Sequence, residues 1–167
     1  MAAEVQVPLP SGGDDTIGLR GFIDRVERDA EGRLVAIDLK NMRRGVPDKD
    51  IPEHGQLGVY QLILRHGGIP AEGSDEVGHL PDVAPVDVGG AALVQLRMPA
   101  QKDAVDPKVQ FQEALGTESP TWIEIKLGEA AQVLRTEVFP ATLGPACRFC
   151  AYRTSCPAQA EGEQVVT

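Results

Sequence analysis

The chain has 167 residues, 42% of them hydrophobic, with 25 Asp or Glu against 16 Lys or Arg and a formal net charge of −9. This length supports one domain with its own core, and the apolar content excludes disorder throughout. No run approaches a membrane span, and the start Met-Ala-Ala-Glu-Val-Gln-Val-Pro lacks the basic and apolar regions of a signal peptide, so a cytoplasmic location is expected. The acidity argues against a free-standing general nucleic-acid binder. It is uneven, however: residues 1–66 carry 9 Lys/Arg against 11 Asp/Glu, and residues 67–167 carry 7 against 14.

In chain order, residues 1–16 read as irregular, broken by Pro8, Pro10 and Gly12-Gly13. Residues 17–40 read as a hairpin. Its flanks are rich in strand formers, and the three-residue loop Ala30-Glu31-Gly32, with Gly32 left-handed, closes it. Asp29 then faces Arg33, and paired positions sum to 62. Residues 41–52 form a polar loop with Arg43, Arg44 and Lys49. Pro52 precedes a helix over 53–66 that ends at Gly67-Gly68, with Leu57, Tyr60 and Leu64 on one side. Residues 67–90 are an acidic loop rich in Gly and Pro. Ala91–Met98 is a strand, a further short strand is expected around Val109–Phe111, and Ser119-Pro120 opens a helix to about Arg135. A cysteine cluster over 139–158 and a tail over 159–167 follow. Strands, helix, strand and helix in that order predict an α/β fold around a mixed sheet.

Two constellations carry chemistry. In the hairpin register Asp24 stands opposite Asp38, with side chains about 5 Å apart at their bases. Lys40 lies two residues beyond Asp38 and shares its face. Opposed carboxylates destabilise a fold unless a cation lies between them, so Asp24 and Asp38 are candidate ligands of Mg²⁺ or Mn²⁺. Such an ion activates water and neutralises a phosphoryl oxygen, and Lys40 would stabilise the developing charge. The alternative is a solvated hairpin with scattered charges. On the following helix Gln56 and Tyr60 are four apart and share a face, suited to DNA contacts or simply to an amphipathic turn. The second constellation is Cys147-x-x-Cys150-x5-Cys156, which fits an iron–sulfur cluster, a zinc site or free thiols. Disulfides are disfavoured by the odd count of 3 cysteines and the tight spacing.

Asp24, then Asp38-Leu39-Lys40, then Gln56-x-x-x-Tyr60 together resemble the PD-(D/E)XK nuclease superfamily in its RecB-like branch. The segments Gly21-Phe-Ile-Asp24-Arg-Val-Glu27, Ile37-Asp-Leu-Lys40 and His54-Gly-Gln-Leu-Gly-Val-Tyr60 are similar to C-terminal nuclease modules of actinobacterial AdnAB/AddAB-type helicase–nucleases. The resemblance implies a restriction-endonuclease-like fold over 17–158 and DNA phosphodiester hydrolysis in recombinational repair. Single-stranded ends would be the substrate and a helicase motor the partner. It implies metal ligation by Asp24, Asp38 and the Leu39 carbonyl, catalysis by Lys40, and motif roles for Gln56 and Tyr60. It also implies a [4Fe–4S] cluster, or alternatively zinc, at Cys147, Cys150 and Cys156.

Departures from that pattern lie on the N-terminal side. There is no fourth cysteine, no helix with a His or Glu ligand ahead of the hairpin, and Asn41 stands where relatives often have Thr. His54, His66 and His79 do not fill the gap, since none precedes the hairpin. The expectation is a piece of a longer protein, and two readings stay open: a nuclease module, or a catalytically inactive scaffold or DNA-channel piece with a structural metal site.

Overall fold

The computed structural model describes residues 2–9, 16–68 and 87–162. Most of the acidic loop expected at 67–90 lies outside these residues. The chain divides into two compact units, Met1–Glu129 and Ala130–Thr167.

In the first unit, residues expected to be irregular form a strand, β1 (Ala2–Pro8), which pairs antiparallel with β2 (Thr16–Phe22). The physical reason is alternation. Ala3, Val5 and Val7 are buried while Glu4 and Gln6 face solvent, a period of two that outweighs the prolines. Pro8 is tolerated because it closes an edge strand of a two-stranded sheet.

The expected 17–40 hairpin is accordingly two structures. The chain bends at Ile23-Asp24, and only β3 (Arg25–Arg28) and β4 (Leu34–Lys40) pair with each other. Their register is the expected one: Arg25 opposes Ile37, and Arg28 opposes Leu34. Gly32 adopts φ +80°, the left-handed conformation its loop requires. Asp29 ties the turn, accepting from the backbone amides of Glu31 at 3.1 Å and Arg33 at 2.8 Å.

Strand β4 pairs in parallel with β5 (Val88–Pro99), and β5 pairs antiparallel with β6 (Pro107–Gln112), giving the order β3-β4-β5-β6. Helix α1 (Gly55–Arg65) crosses between β4 and β5 and packs on both. Leu57, Leu62, Ile63 and Leu64 are fully buried, so α1 is apolar on more than one face. At its end Gly67 takes φ +72° and the Gly68 amide bonds the Ile63 carbonyl at 2.8 Å, the left-handed stop expected there. Helix α2 (Trp122–Thr136) starts at Thr121, whose amide and hydroxyl donate to the Glu124 carboxylate. Trp122 lies against Gly58, where an added Cβ would stand 2.6 Å from the indole. The result is a mixed sheet flanked by helices, as expected of a restriction-endonuclease-like fold.

Buried glutamines join loops to this frame. Gln61 bonds Gln112 at 2.9 Å and accepts from the Leu115 amide at 2.8 Å; Gln112 donates to the Ile51 carbonyl at 2.8 Å. Gln95 donates to Gln110 at 3.0 Å, and Gln110 donates to the Val46 carbonyl at 2.8 Å.

In the second unit the cysteine segment winds through short 3-10 turns, Pro145–Phe149 and Arg153–Ser155. No helix among the described residues is long and apolar enough to cross a membrane.

Candidate active site

The site forms where β4 ends beside the first turn of α1. Leu34, Val35 and Ala36 are all buried, and from Ala36 on burial follows a period of two, so Asp38 shares the inward face with Ala36, meets α1 through Gln56, and is 3% exposed. Burying that carboxylate without partners would cost several kcal/mol, about 3–5 for an uncompensated charge. Two partners meet it. Gln56 Nε2 donates to Oδ1 at 3.2 Å, and the Lys40 ammonium lies 2.7 Å from Oδ2. The lysine contact is an ion pair without the directionality of a hydrogen bond, so Oδ2 keeps a charge partner but no directed donor among the described residues.

Lys40 also donates to Gln56 Oε1 at 2.8 Å. Gln56 Nε2 donates to Tyr60 Oη at 2.8 Å, and that hydroxyl donates to the Phe22 carbonyl at 2.8 Å. The four-residue spacing on α1 that puts Gln56 and Tyr60 on one face is what permits this relay. Asp38, Lys40, Gln56 and Tyr60 are thus one connected network running back to the end of β2.

Asp24 is placed differently from the expectation. The ladder stops at Arg25 and Ile37, and Asp24 lies one residue beyond it in an exposed bend. Its Oδ2 accepts from the Leu39 amide at 2.8 Å. Asp24 therefore joins the site through the backbone between Asp38 and Lys40, and the charge that balances Asp38 is Lys40.

His54 belongs to the neighbourhood as well. It is the N-cap residue of α1, yet its side chain makes no capping bond, and its Nδ1 is buried without a hydrogen-bond partner among the described residues. Burial, and then the positive charge of Lys40, hold its pKa below the ordinary imidazole value against the opposing pull of Asp38. His66, at the other end of α1, lies away from this network and is lowered chiefly by burial.

Asp24, Asp38 and the Leu39 carbonyl are all oxygen donors, the type that suits Mg²⁺ or Mn²⁺. Asp24 has one carboxylate oxygen without a hydrogen bond among the described residues, and Asp38 Oδ2 is held only by the Lys40 ammonium. The donor chemistry fits such an ion. Among the described residues, however, no group of three or more His, Cys, Asp and Glu is arranged to hold a metal.

A family model for the PD-(D/E)XK nuclease superfamily matches residues 1–157. The chain belongs to the PD-(D/E)XK nuclease superfamily. The match covers both β1–β2 and the cysteine segment, so the superfamily domain begins earlier than residue 17. No curated protein is similar enough to match. Membership points to nuclease-type phosphodiester hydrolysis with DNA as the substrate class, and enzymes of this superfamily generally use Mg²⁺ or Mn²⁺.

In the second unit Cys147, Cys150 and Cys156 are free thiols lining one small cavity with Arg153 and Gln159. The Gly144 amide donates to Cys147 Sγ at 3.3 Å. Sulfur donors sharing a cavity are the right type for a soft metal. As they stand their spacing does not close around one.

Proposed function

We propose that this chain is a metal-dependent DNA nuclease module of the RecB-like kind, hydrolysing phosphodiester bonds of single strands. The observation that carries the reading is the hydrogen-bonded connection of Asp38, Lys40, Gln56 and Tyr60, with Asp24 fastened to the Leu39 amide. Asp24, Asp38 and the Leu39 carbonyl would hold Mg²⁺ or Mn²⁺, which when bound lowers the pKa of water and offsets phosphoryl charge. Lys40 is a second positive charge, already at the buried carboxylate and free to swing to an anionic oxygen. Gln56 keeps Lys40 and Asp38 in register, and Tyr60 fixes Gln56 by anchoring it to Phe22.

The attachment to a helicase motor, the role in recombinational repair and the AdnAB/AddAB-type kinship rest on the likeness of the motif segments. The cysteine segment is proposed as a soft-metal staple, [4Fe–4S] or zinc, supported by three thiols sharing one cavity. Anaerobic purification should yield bound iron and sulfide, or zinc; a metal-free chain with three freely titrating thiols contradicts the staple.

A second reading, a catalytically silent nuclease fold serving as scaffold or DNA-channel wall, has its own support. Both Asp38 oxygens are already engaged by Gln56 and Lys40. Labelled single-stranded DNA incubated with Mn²⁺ separates the two. The nuclease reading expects cleavage that disappears in Asp38→Ala and Lys40→Ala. No cleavage by the parent chain, or cleavage that survives both substitutions, favours the silent fold.

A further inference from the structure

The chain is strongly acidic, so any surface for DNA must be built from cations not already spent on its own carboxylates. Most Lys and Arg are spent. Arg20 pairs with Glu4, Arg25 with Glu27, Arg33 with Asp29, Lys40 with Asp38, Lys108 with Asp48 and Lys126 with Glu53. Arg28 and Arg65 donate to backbone carbonyls. Arg43 and Arg44 are exposed and have no such partner among the described residues.

Their position is specific. They follow Lys40 by three and four residues, so a fully extended chain keeps both within about 14 Å of it. That is about four nucleotides of strand at about 3.4 Å each. Strands β4 and β5 run parallel, with Lys40 beside Gln95, so the segments leaving both strands emerge at this one end of the sheet. Arg97, near the end of β5, and Lys102, on the segment that follows it, are also exposed and without a partner among the described residues. Carboxylates are present here too, at Asp50, Asp103 and Asp106, which makes the fixed placement of the arginines matter more than the total charge.

The loop that carries the two arginines is clasped to the sheet. Gln110 Nε2 holds the Val46 carbonyl at 2.8 Å and Asp48 Oδ1 at 2.6 Å, while Lys108 holds Asp48 at 2.7 Å. Gly45 lies against Met98 so closely that an added Cβ would stand 2.7 Å from its sulfur. A clasped loop presents its guanidinium groups without a large ordering cost on binding. Arginine also suits the task, since its planar fork matches phosphate oxygens.

We propose that the loop 41–50 is a preorganised clamp for the phosphates of the DNA strand next to the scissile one, with Arg43 and Arg44 as its contacts. This rests on the nuclease reading for its substrate but makes a claim about binding alone. The test is the anisotropy of a labelled 20-nucleotide oligothymidylate titrated with the chain in EDTA, where no metal-dependent cleavage occurs, over a series of salt concentrations. Arg43→Gln/Arg44→Gln should reduce the slope of log K against log salt by about 1.4, two contacts at about 0.7 each. Arg43→Lys/Arg44→Lys should restore most of the slope, and Arg20→Gln/Arg28→Gln, with the same change of charge, should leave it near the parent's. Hydrolysis of bis(p-nitrophenyl) phosphate by the parent chain with Mn²⁺ reads the chemistry separately. A parent slope kept by the Gln variant, an equal loss in the control, or no binding by the parent chain overturns the clamp. A slope that falls as expected in a chain without hydrolytic activity supports the clamp and counts only against the nuclease reading.

Discussion

Asp38 is a buried carboxylate whose partners are all functional candidates, and that ties stability to chemistry at a single side chain. Tyr60 shows the same linkage from the other side. Its hydroxyl accepts from Gln56 and donates to the Phe22 carbonyl, both at 2.8 Å, in a residue only 6% exposed. Tyr60→Phe removes the hydroxyl and leaves a carbonyl and an amide short of a partner, a loss of about 1–3 kcal/mol. The expected outcome is a lower denaturation midpoint together with reduced turnover, because Gln56 loses its anchor. A denaturant titration unchanged from the parent's would remove Tyr60 from the relay. At this scale much was legible: Asp38, Lys40, Gln56 and Tyr60 announce themselves by spacing, since a period of two places the first pair on one face and a step of four the second. The bond from the Leu39 amide to Asp24 was not legible, because it depends on where the ladder ends. Nor was the position of His54 beside Asp38 and Lys40, which depends on a helix starting two residues later than Pro52 indicated.

Elements are positioned here by a few close approaches. Two glycines of α1 should respond oppositely to alanine. Gly55 has open space around its Cβ position, so Gly55→Ala should stabilise by up to about 1 kcal/mol through helix propensity. Gly58 faces the Trp122 ring, and there overpacking of about 1–3 kcal/mol should exceed that gain, so Gly58→Ala should destabilise. Thermal melts of both variants check the pair; equal shifts of the same sign contradict the α1–α2 packing. The loop clasp makes a pH prediction. Hydrogen bonds from Lys108 and then Gln110 hold the Asp48 carboxyl below its usual range, against a smaller opposing effect of burial. A carboxyl lowered in the folded state contributes stability above its unfolded pKa, and that contribution is lost as pH falls through the folded value. Protection from hydrogen exchange over residues 41–50, relative to the unstructured rate at each pH, should therefore fall below about pH 4, the ordinary carboxylate range, and should be low already at neutral pH in Asp48→Asn. Exchange that is insensitive to both changes contradicts the clasp. Helices and the β3–β4 register were readable from apolar periodicity and turn chemistry. Strand β1 is hidden in the sequence because Pro8 and Pro10 mask the alternation of Ala3, Val5 and Val7, and β6 is blurred because its buried positions are Gln110 and Gln112, polar residues satisfied by other glutamines and loop carbonyls.

Across the whole molecule, the superfamily domain reaches from the first strand into the cysteine segment, and the candidate active site lies at one end of the four-stranded sheet. A net charge of −9 is compatible with a DNA enzyme only if cations are placed rather than abundant. The pairing pattern does this: many of the other lysines and arginines are engaged by carboxylates or carbonyls of the chain itself, and Arg43 and Arg44 remain available within four residues of Lys40. The central claim is that Asp38, Lys40, Gln56 and Tyr60 act as one catalytic unit. A double-substitution cycle tests it most directly, measuring cleavage of single-stranded DNA with Mn²⁺ by the parent, Lys40→Ala, Gln56→Ala and the double variant. Because Gln56 holds Lys40 at 2.8 Å, the account predicts that each single change lowers the rate, that of Lys40 by about 10²–10³, and that the double variant is little slower than Lys40→Ala alone. Losses that multiply, or a Gln56→Ala chain as fast as the parent, would contradict it.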